Sequence, residues 1–161
     1  MTARGRGSIV NITSGSHAGD AALGGYAASK GAIASFTYSW AIELANSGVR
    51  VNAVSPLAQT GMSNVNTDFR ARQNATRPMP IHNLPAPEVS APAVSYLLSD
   101  DASDVNGQIV RITGSSLSII THPMIAAPVL DGEWTFAAIK DAFATTLKGR
   151  QRALGLARAD A

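Results

Sequence analysis

An α/β fold is predicted for this chain, with a parallel sheet of about three strands and flanking helices. Three short runs rich in β-branched residues, at 8–13, 49–55 and 107–113, have the length and composition of buried strands. A segment at 26–46 carries apolar residues at intervals of three and four, which is the period of an amphipathic helix. A strand, a long helix and a second strand in this order indicate a right-handed βαβ unit.

The first strand leads into a loop of small residues at 14–25 and then into the helix at 26–46. Alanines give this helix high propensity, and Gly48 is placed to end it in a left-handed conformation. The strand at 49–55 is expected to stop at Pro56, because proline has no N–H group for a sheet hydrogen bond.

Residues 57–87 are rich in polar side chains and end in a cluster of prolines. Long irregular segments of this kind in compact domains are usually lids or binding loops. A helix is predicted over 87–98, and Pro92 inside it predicts either a later start or a kink. The third strand at 107–113 follows a turn-rich connection.

Beyond the third strand, residues 117–132 are apolar but are interrupted by Pro123 and Pro128. A final amphipathic helix is predicted over 135–147, with a basic, alanine-rich tail at 148–161. No internal repeat or linker divides the sequence, so residues 1–161 are interpreted as a single domain.

Composition excludes several classes of function. Hydrophobic residues make up 45% of the 161 residues and charged residues 15%, which is typical of a globular domain with a core. A net charge of +2 does not indicate a nucleic-acid partner, and no apolar stretch approaches the ~20 residues of a membrane span. The absence of cysteine excludes disulfides and cysteine-based zinc sites, and it agrees with a cytoplasmic protein, which is the expected location. The three histidines lack metal-ligand spacing, so no metal site is expected: His17, His82 and His122.

Three residues suggest chemistry at the end of the first strand: Ser14, Tyr26 and Lys30. Tyr26 and Lys30 are four residues apart, so a helix places them on one face, where an ammonium group stabilises a phenolate. A tyrosine held in this way can pass a proton to or from an alcohol oxygen. Ser14 follows a strand, and the active groups of open α/β sheets gather at strand carboxyl ends. Taken alone, the pair is more typical of an interface tyrosine beside a solvated lysine, because two common residue types at helical spacing recur by chance.

The ordered set of these segments resembles the catalytic half of a short-chain dehydrogenase/reductase. The similar segments are Ile-Val-Asn-Ile-Thr-Ser at 9–14, Tyr-x-x-x-Lys at 26–30, and Val-Arg-Val-Asn-Ala-Val-Ser-Pro at 49–56. The resemblance implies a partial Rossmann-like sheet and an NAD- or NADP-dependent enzyme that interconverts a secondary alcohol and a ketone. The family's glycine-rich nucleotide loop has no counterpart in the sequence, so a truncated form that binds the cofactor poorly by itself is expected.

The resemblance also implies roles for individual residues. Tyr26 would be the acid/base, Lys30 would bind the nicotinamide ribose and support Tyr26, and Ser14 would hold the substrate oxygen. The Ser-to-Tyr spacing is 12 here, where 13 is more usual in the family and would select Thr13. Because the Asn-Ile-Thr-Ser strand end aligns better than a loop of variable length, Ser14 is preferred.

Pro56 and Thr60 are the further cofactor contacts that the resemblance implies. The family usually has Pro-Gly after this strand, and Leu57 stands here in place of the glycine. A similar Pro-x-Ala-x-Thr-x-Met run occurs in a subgroup resembling hydroxyacyl-thioester dehydrogenases. The alternative for Thr60 is a cap on the next helix. Residues 117–161 resemble that subgroup's C-terminal extension, in which Trp134 is expected to be a core or interface anchor.

A non-catalytic interaction module derived from this family is the alternative function. The helix at 26–46 and the last strand correspond to surfaces by which such enzymes associate. A homo-oligomer, or association with a full-length relative, is therefore expected in either case. The basic tail is interpreted as a solvated end.

Overall fold

The structure is a computed structural model that describes residues 1–21, 23–72 and 84–156. Its main elements in chain order are β1 (Gly7–Ile12), α1 (Gly24–Glu43), β2 (Val49–Leu57), α2 (Gly61–Arg72), α3 (Ala91–Leu98), β3 (Ile109–Thr113), β4 (Ser116–Ile120) and α4 (Phe136–Ala142). Single 3₁₀ turns lie at Thr2–Arg4, Gly15–Ala18, Pro87–Ser90, Asp100–Ala102 and Lys148–Arg150, and a π-helical turn at Phe143–Leu147 continues α4. His82 and two of the four prolines of the predicted loop, Pro78 and Pro80, lie outside the described residues, as does the end of the tail after Leu156.

The four strands form one sheet in the order β1-β2-β3-β4. The first three are parallel, which confirms the predicted sheet, and Ile9 lies opposite Val51 in its register. β4 was not predicted: it runs antiparallel to β3 after a two-residue turn, so that Thr113 lies opposite Ser116. Gly114 occupies the turn with φ 62°, a conformation that glycine adopts without steric cost.

Each face of the sheet carries its own hydrophobic cluster. α1 covers one face, where the buried residues are Ala34, Ala53, Ile109 and Ile120, with Tyr38 packed against them. α3 covers the other face, where the buried residues are Val54, Leu97 and Ile112. A helix on both sides of a mainly parallel sheet is the expected way to bury its two apolar faces.

The predicted end of β2 at Pro56 was wrong, since the strand continues to Leu57. The Thr13 N–H donates to the Val54 carbonyl, and the Ala53 N–H donates to the Gln108 carbonyl. Alternate residues of β2 therefore face β1 and β3, and Pro56 faces the side on which β1 has already ended. The missing N–H of Pro56 consequently removes no hydrogen bond from the sheet.

The helices differ from the predicted ranges mainly at their ends. α1 covers Gly24–Glu43, where 26–46 was expected. α3 starts at Ala91 and not at 87, so Pro92 lies in its first turn, which is the later start that the sequence left open. α4 loses its regular helical pattern after Ala142, short of the predicted end. In the described ranges, none of the helices is long and apolar enough to cross a membrane.

Asn52 is a fully buried polar residue that joins β2 to the connection before β3. Its amide nitrogen donates to the Val105 carbonyl at 2.8 Å, and its amide oxygen accepts from the Gln108 N–H at 2.9 Å. One side chain thus satisfies two backbone groups of the neighbouring connection, which fixes the approach of the chain into β3.

We predict that Asn52→Ala lowers the free energy of unfolding by roughly 2–5 kcal/mol, because two buried backbone groups lose their partners at about 1–3 kcal/mol each. Urea denaturation of the purified chain measures the change. Asn46→Ala, at an exposed position, is the matched control and should stay within about 0.5 kcal/mol of the parent. Equal stability of the two variants would contradict the role given to Asn52.

Candidate active site

The candidate site lies at the edge of the sheet where β1, β2 and β3 have their carboxyl ends. Ser14 follows β1 and starts the 3₁₀ turn Gly15–Ala18, in which its Oγ accepts from the Ser16 N–H at 3.3 Å. The Ser14 carbonyl oxygen lies 2.6 Å from Nδ1 of His17. Because a carbonyl oxygen can only accept, Nδ1 is the donor in this hydrogen bond. Ser16 Oγ donates to the Asp20 carboxylate at 2.8 Å. The loop after β1 is therefore held in shape by its own polar side chains.

Tyr26 and Lys30 come together on the first turns of α1. The Lys30 ammonium lies 5.7 Å from the centre of the Tyr26 ring, and it donates to the Ile12 carbonyl at 2.9 Å. This bond ties the lysine to the last residue of β1 and holds its charge beside the phenol. Tyr26 itself is 45% exposed, so the residue is open to solvent.

Thr13 fixes α1 against the end of β1. Its hydroxyl donates to the Lys30 carbonyl at 2.9 Å, and the residue is only 2% exposed. Asn11, which lies on β1 two residues before Thr13, donates from its side-chain amide to the Thr37 hydroxyl at 3.0 Å. The strand that leads to Ser14 and the helix that carries Tyr26 are therefore joined by two side-chain hydrogen bonds.

The two predicted cofactor contacts, Pro56 and Thr60, lie at or just after the end of β2. Thr60 caps α2: its Oγ1 accepts from the Ser63 N–H at 3.2 Å, while its own N–H donates to Ser63 Oγ at 2.9 Å. The capping alternative is thus present in the structure, and a cofactor contact by the same residue stays a prediction. The Gln59 N–H donates to the Pro85 carbonyl at 2.8 Å, which closes the ends of the intervening segment.

The polar groups at this edge include hydrogen-bond donors that could hold a cofactor. Of the three N–H groups of the Lys30 ammonium, one donates to Ile12, and the part of the chain that the structure describes leaves two for neighbouring hydroxyl groups. The exposed Tyr26 ring offers a phenol beside them, and Pro56 supplies an apolar surface at the end of β2. Among the described residues, no group of three or more His, Asp or Glu side chains is arranged to hold a metal ion.

Arg111 is a residue of this edge that the sequence analysis did not single out. It lies on β3, is partly buried, and donates from Nη1 to the hydroxyl of the fully buried Ser55 at 3.2 Å. Burial lowers the pKa of its guanidinium group. The available signal was a single charged residue inside the β-branched run Ile109–Thr113, where a buried parallel strand normally has none.

Comparison with known proteins shows what this arrangement is similar to. A family model described as enoyl-(acyl carrier protein) reductase matches residues 1–114. The bovine dehydrogenase/reductase SDR family member 4 is 40% identical over 121 residues, or 73% of this chain and 43% of the relative. Cis-4-hydroxycyclohexanecarboxylate dehydrogenase of Sinomonas cyclohexanicum is 40% identical over 122 residues, or 74% of this chain and 48% of the relative. The chain thus spans less than half the length of these relatives.

A solved structure supports the same relationship. The crystal structure of a short chain dehydrogenase from Mycobacterium avium superimposes with a TM-score of 0.68 and 28% sequence identity. The match covers 91% of this chain and 45% of the other, so nearly all of the fold seen here has a counterpart in that protein.

We predict that Thr13→Val lowers the free energy of unfolding by about 1–3 kcal/mol, because it removes a buried hydroxyl that joins β1 to α1. Ser29→Ala is the matched control: Ser29 Oγ also donates to a carbonyl of α1, that of Tyr26 at 2.7 Å, but it is exposed and joins no second element. That variant should stay within about 0.5 kcal/mol of the parent. If the two substitutions shift the thermal or urea midpoint equally, Thr13 does not fix the helix.

Proposed function

Since the chain belongs to the short-chain dehydrogenase/reductase family, we propose that it carries the catalytic residues of an NAD- or NADP-dependent enzyme that interconverts a secondary alcohol and a ketone. The observation that carries the proposal is the Lys30 ammonium, held by the Ile12 carbonyl beside the exposed Tyr26 phenol. A phenol next to a fixed cation, at the carboxyl edge of a parallel sheet, suits proton exchange with an alcohol oxygen.

Tyr26 is the proposed acid/base. In ketone reduction its hydroxyl gives a proton to the carbonyl oxygen, and in alcohol oxidation the phenolate takes that proton back. Its exposure leaves room for the substrate, and its position in the first turn of α1 brings its ring within 5.7 Å of the Lys30 ammonium, which supports this role. The bound nicotinamide would supply hydride chemistry at the substrate carbon.

Lys30 has two proposed roles, which its geometry makes compatible. Its charge stabilises the phenolate of Tyr26 in the step where the proton has left. Its remaining N–H groups are proposed to bind the ribose hydroxyls of the nucleotide. Pro56 and Thr60 are proposed to contact the nicotinamide side of the same molecule, with the Thr60 O–H as the available donor since its oxygen already accepts from Ser63.

Ser14 is proposed to hold the substrate oxygen opposite Tyr26. Thr13, the alternative suggested by spacing, uses its hydroxyl to bond Lys30 and is almost completely buried, which supports the choice of Ser14. Ser14 is only partly buried, and the turn that follows it holds it in place.

Self-association through α1 is also proposed. Phe36 and Trp40 form an exposed aromatic pair with ring centres 5.4 Å apart, and Ile42 on the same helix is 78% exposed. Exposed apolar side chains at this density are typical of surfaces that another polypeptide covers. A homo-oligomer, or a complex with a full-length relative, would bury them.

The assay of the proposed reaction has two arms. The 161-residue chain is tested as it is, with NADH and NADPH on a panel of ketones and with NAD+ and NADP+ on a panel of secondary alcohols. The alcohols include cis-4-hydroxycyclohexanecarboxylate, the substrate in one relative's name. Because the family's nucleotide loop has no counterpart in the sequence, a second arm fuses the first half of that relative to this chain. In the fusion the candidate residues still come from this chain alone.

We predict that Tyr26→Phe lowers turnover in the active form by about 10²–10⁴-fold, the usual contribution of general acid–base catalysis, and leaves cofactor affinity nearly unchanged. The ring remains, so packing is preserved while the acid/base oxygen is lost. Tyr38→Phe is the matched control, since Tyr38 lies on the same helix but packs against the core and His122. Near-parental turnover of Tyr26→Phe, followed by cofactor absorbance, would show that the proposed mechanism is wrong.

We predict that Lys30→Met weakens cofactor binding as well as turnover, because it removes both a ribose donor and the charge beside Tyr26. The measurements are cofactor affinity by fluorescence titration and steady-state turnover. Lys140→Met, on α4, controls for a general loss of positive charge. A variant that loses turnover but binds the cofactor as the parent does would refute the ribose role.

A further inference from the structure

Arg111 is placed beside the candidate site in a way that its structural contacts do not explain. Its Cα lies opposite Ser55 in the sheet register, and its Nη1 donates to the Ser55 hydroxyl at 3.2 Å. The side chain points from β3 to the same face of the sheet as α1, close to the carboxyl edge. A neutral donor would satisfy the single hydroxyl of Ser55 without bringing a charge into this position.

The guanidinium group lies directly against the residue that follows Ser14. A Cβ atom placed on Gly15 would be 2.7 Å from Nη1 of Arg111 and 2.9 Å from a methyl group of Leu156. A glycine at this position therefore permits the close approach of two side chains, one cationic and one apolar. The next glycines along each segment, Gly19 and Gly155, also approach one another, since a Cβ on Gly155 would be 3.6 Å from the Gly19 carbonyl oxygen.

The charge of Arg111 lacks a carboxylate partner within residues 1–21, 23–72 and 84–156. Its one side-chain hydrogen bond there is the bond to Ser55, so four of its five N–H donors are left for another acceptor. Burial lowers the pKa of the group, yet a guanidinium remains protonated at any physiological pH. A partly buried charge without a counter-charge is unfavourable, and an anion bound there would remove that cost.

We propose that Arg111 is a specificity-determining residue that binds a carboxylate group of the substrate whose oxygen is held at Ser14. The planar guanidinium matches a carboxylate through two parallel hydrogen bonds, which a neutral amide cannot reproduce. Leu156 lies against the neighbouring Gly15 and adds an apolar side chain beside the guanidinium. The proposal rests on the function proposed for Ser14, Tyr26 and Lys30, and it names oxo acids and hydroxy acids as the substrate class.

The first test does not depend on catalysis. The isotope-labelled chain is titrated with levulinate, a ketone that bears a carboxylate, and separately with levulinamide, its neutral counterpart, at constant ionic strength. We expect saturable shifts of the Arg111 side-chain Nε–H and the Gly15 amide with levulinate and none with levulinamide. Arg50, whose guanidinium donates to the Leu97 and Ser99 carbonyls, is the internal control and should not shift. Equal shifts with both ligands, or none with levulinate, would overturn the proposal.

The second test uses the active form with the same ligands as substrates. Arg111→Met should lower kcat/KM for levulinate roughly 10-fold or more, the value of a charge-assisted hydrogen bond, and leave levulinamide unaffected. Arg111→Lys should recover part of the loss, and Arg50→Met should have the parental preference. If Arg111→Met fails to fold, as judged by circular dichroism, the titration of the parent decides alone.

The two proposals fail in different ways. Levulinate shifts at Arg111 without any Tyr26-dependent turnover would support the carboxylate site and count against the proposed reaction. Tyr26-dependent turnover that treats levulinate and levulinamide alike, in the parent and in Arg111→Met, would support the reaction and overturn the role of Arg111.

Discussion

The parallel pairing of β1, β2 and β3 is the constraint on which the rest of the molecule depends. Parallel strands end at a common edge, so Ser14, Pro56 and the turn after Thr113 are neighbours although they are far apart in sequence. A crossover helix must return the chain from one strand to the start of the next, which brings the start of α1 to the same edge. The candidate site is therefore a product of the topology, and side-chain hydrogen bonds only refine it.

β2, the central strand, carries one buried polar residue in its middle and another near the candidate site. Asn52 and Ser55 are both fully buried, yet they are satisfied differently. The Asn52 amide bonds backbone groups on either side of a turn, which fixes the path of the chain. Ser55, near the carboxyl end, accepts from a charged side chain instead. The polar link in the middle of the strand uses both ends of the Asn52 amide, whereas the one near the candidate site uses one of the N–H groups of Arg111.

Much of this arrangement could be predicted from the sequence, because strand composition and helical period are local signals. The three parallel strands and α1 followed from them, whereas the start of α3 stayed open between 87 and a later residue and lies at Ala91. Pro56 misled the prediction because a strand tolerates proline where its neighbour has already ended, which is a fact of register. β4 was missed although Ser116–Ile119 alternates polar and apolar residues, because the segment is short and the prolines that follow it dominated the interpretation of residues 117–132.

The same distinction applies to the candidate site. The spacing of Tyr26 and Lys30 is encoded within one helix, so it could be read directly, and Ser14 followed from the strand end. The bond from Lys30 to Ile12 and the contact of Arg111 with Gly15 join segments that are distant along the chain. Such contacts depend on packing and leave no local signal in the sequence. The exception is Arg111, which is the one charged residue in an otherwise apolar or β-branched strand.

The two hydrogen bonds of Lys30 have a consequence for local opening of the fold. Its carbonyl is held by Thr13 and its ammonium by Ile12, so the first turns of α1 cannot fray as an ordinary helix end does without also breaking contacts with the sheet. Opening there becomes part of a larger cooperative unit that includes β1. The position of Lys30 beside Tyr26 is then kept or lost together with the contacts of Lys30 at the sheet edge.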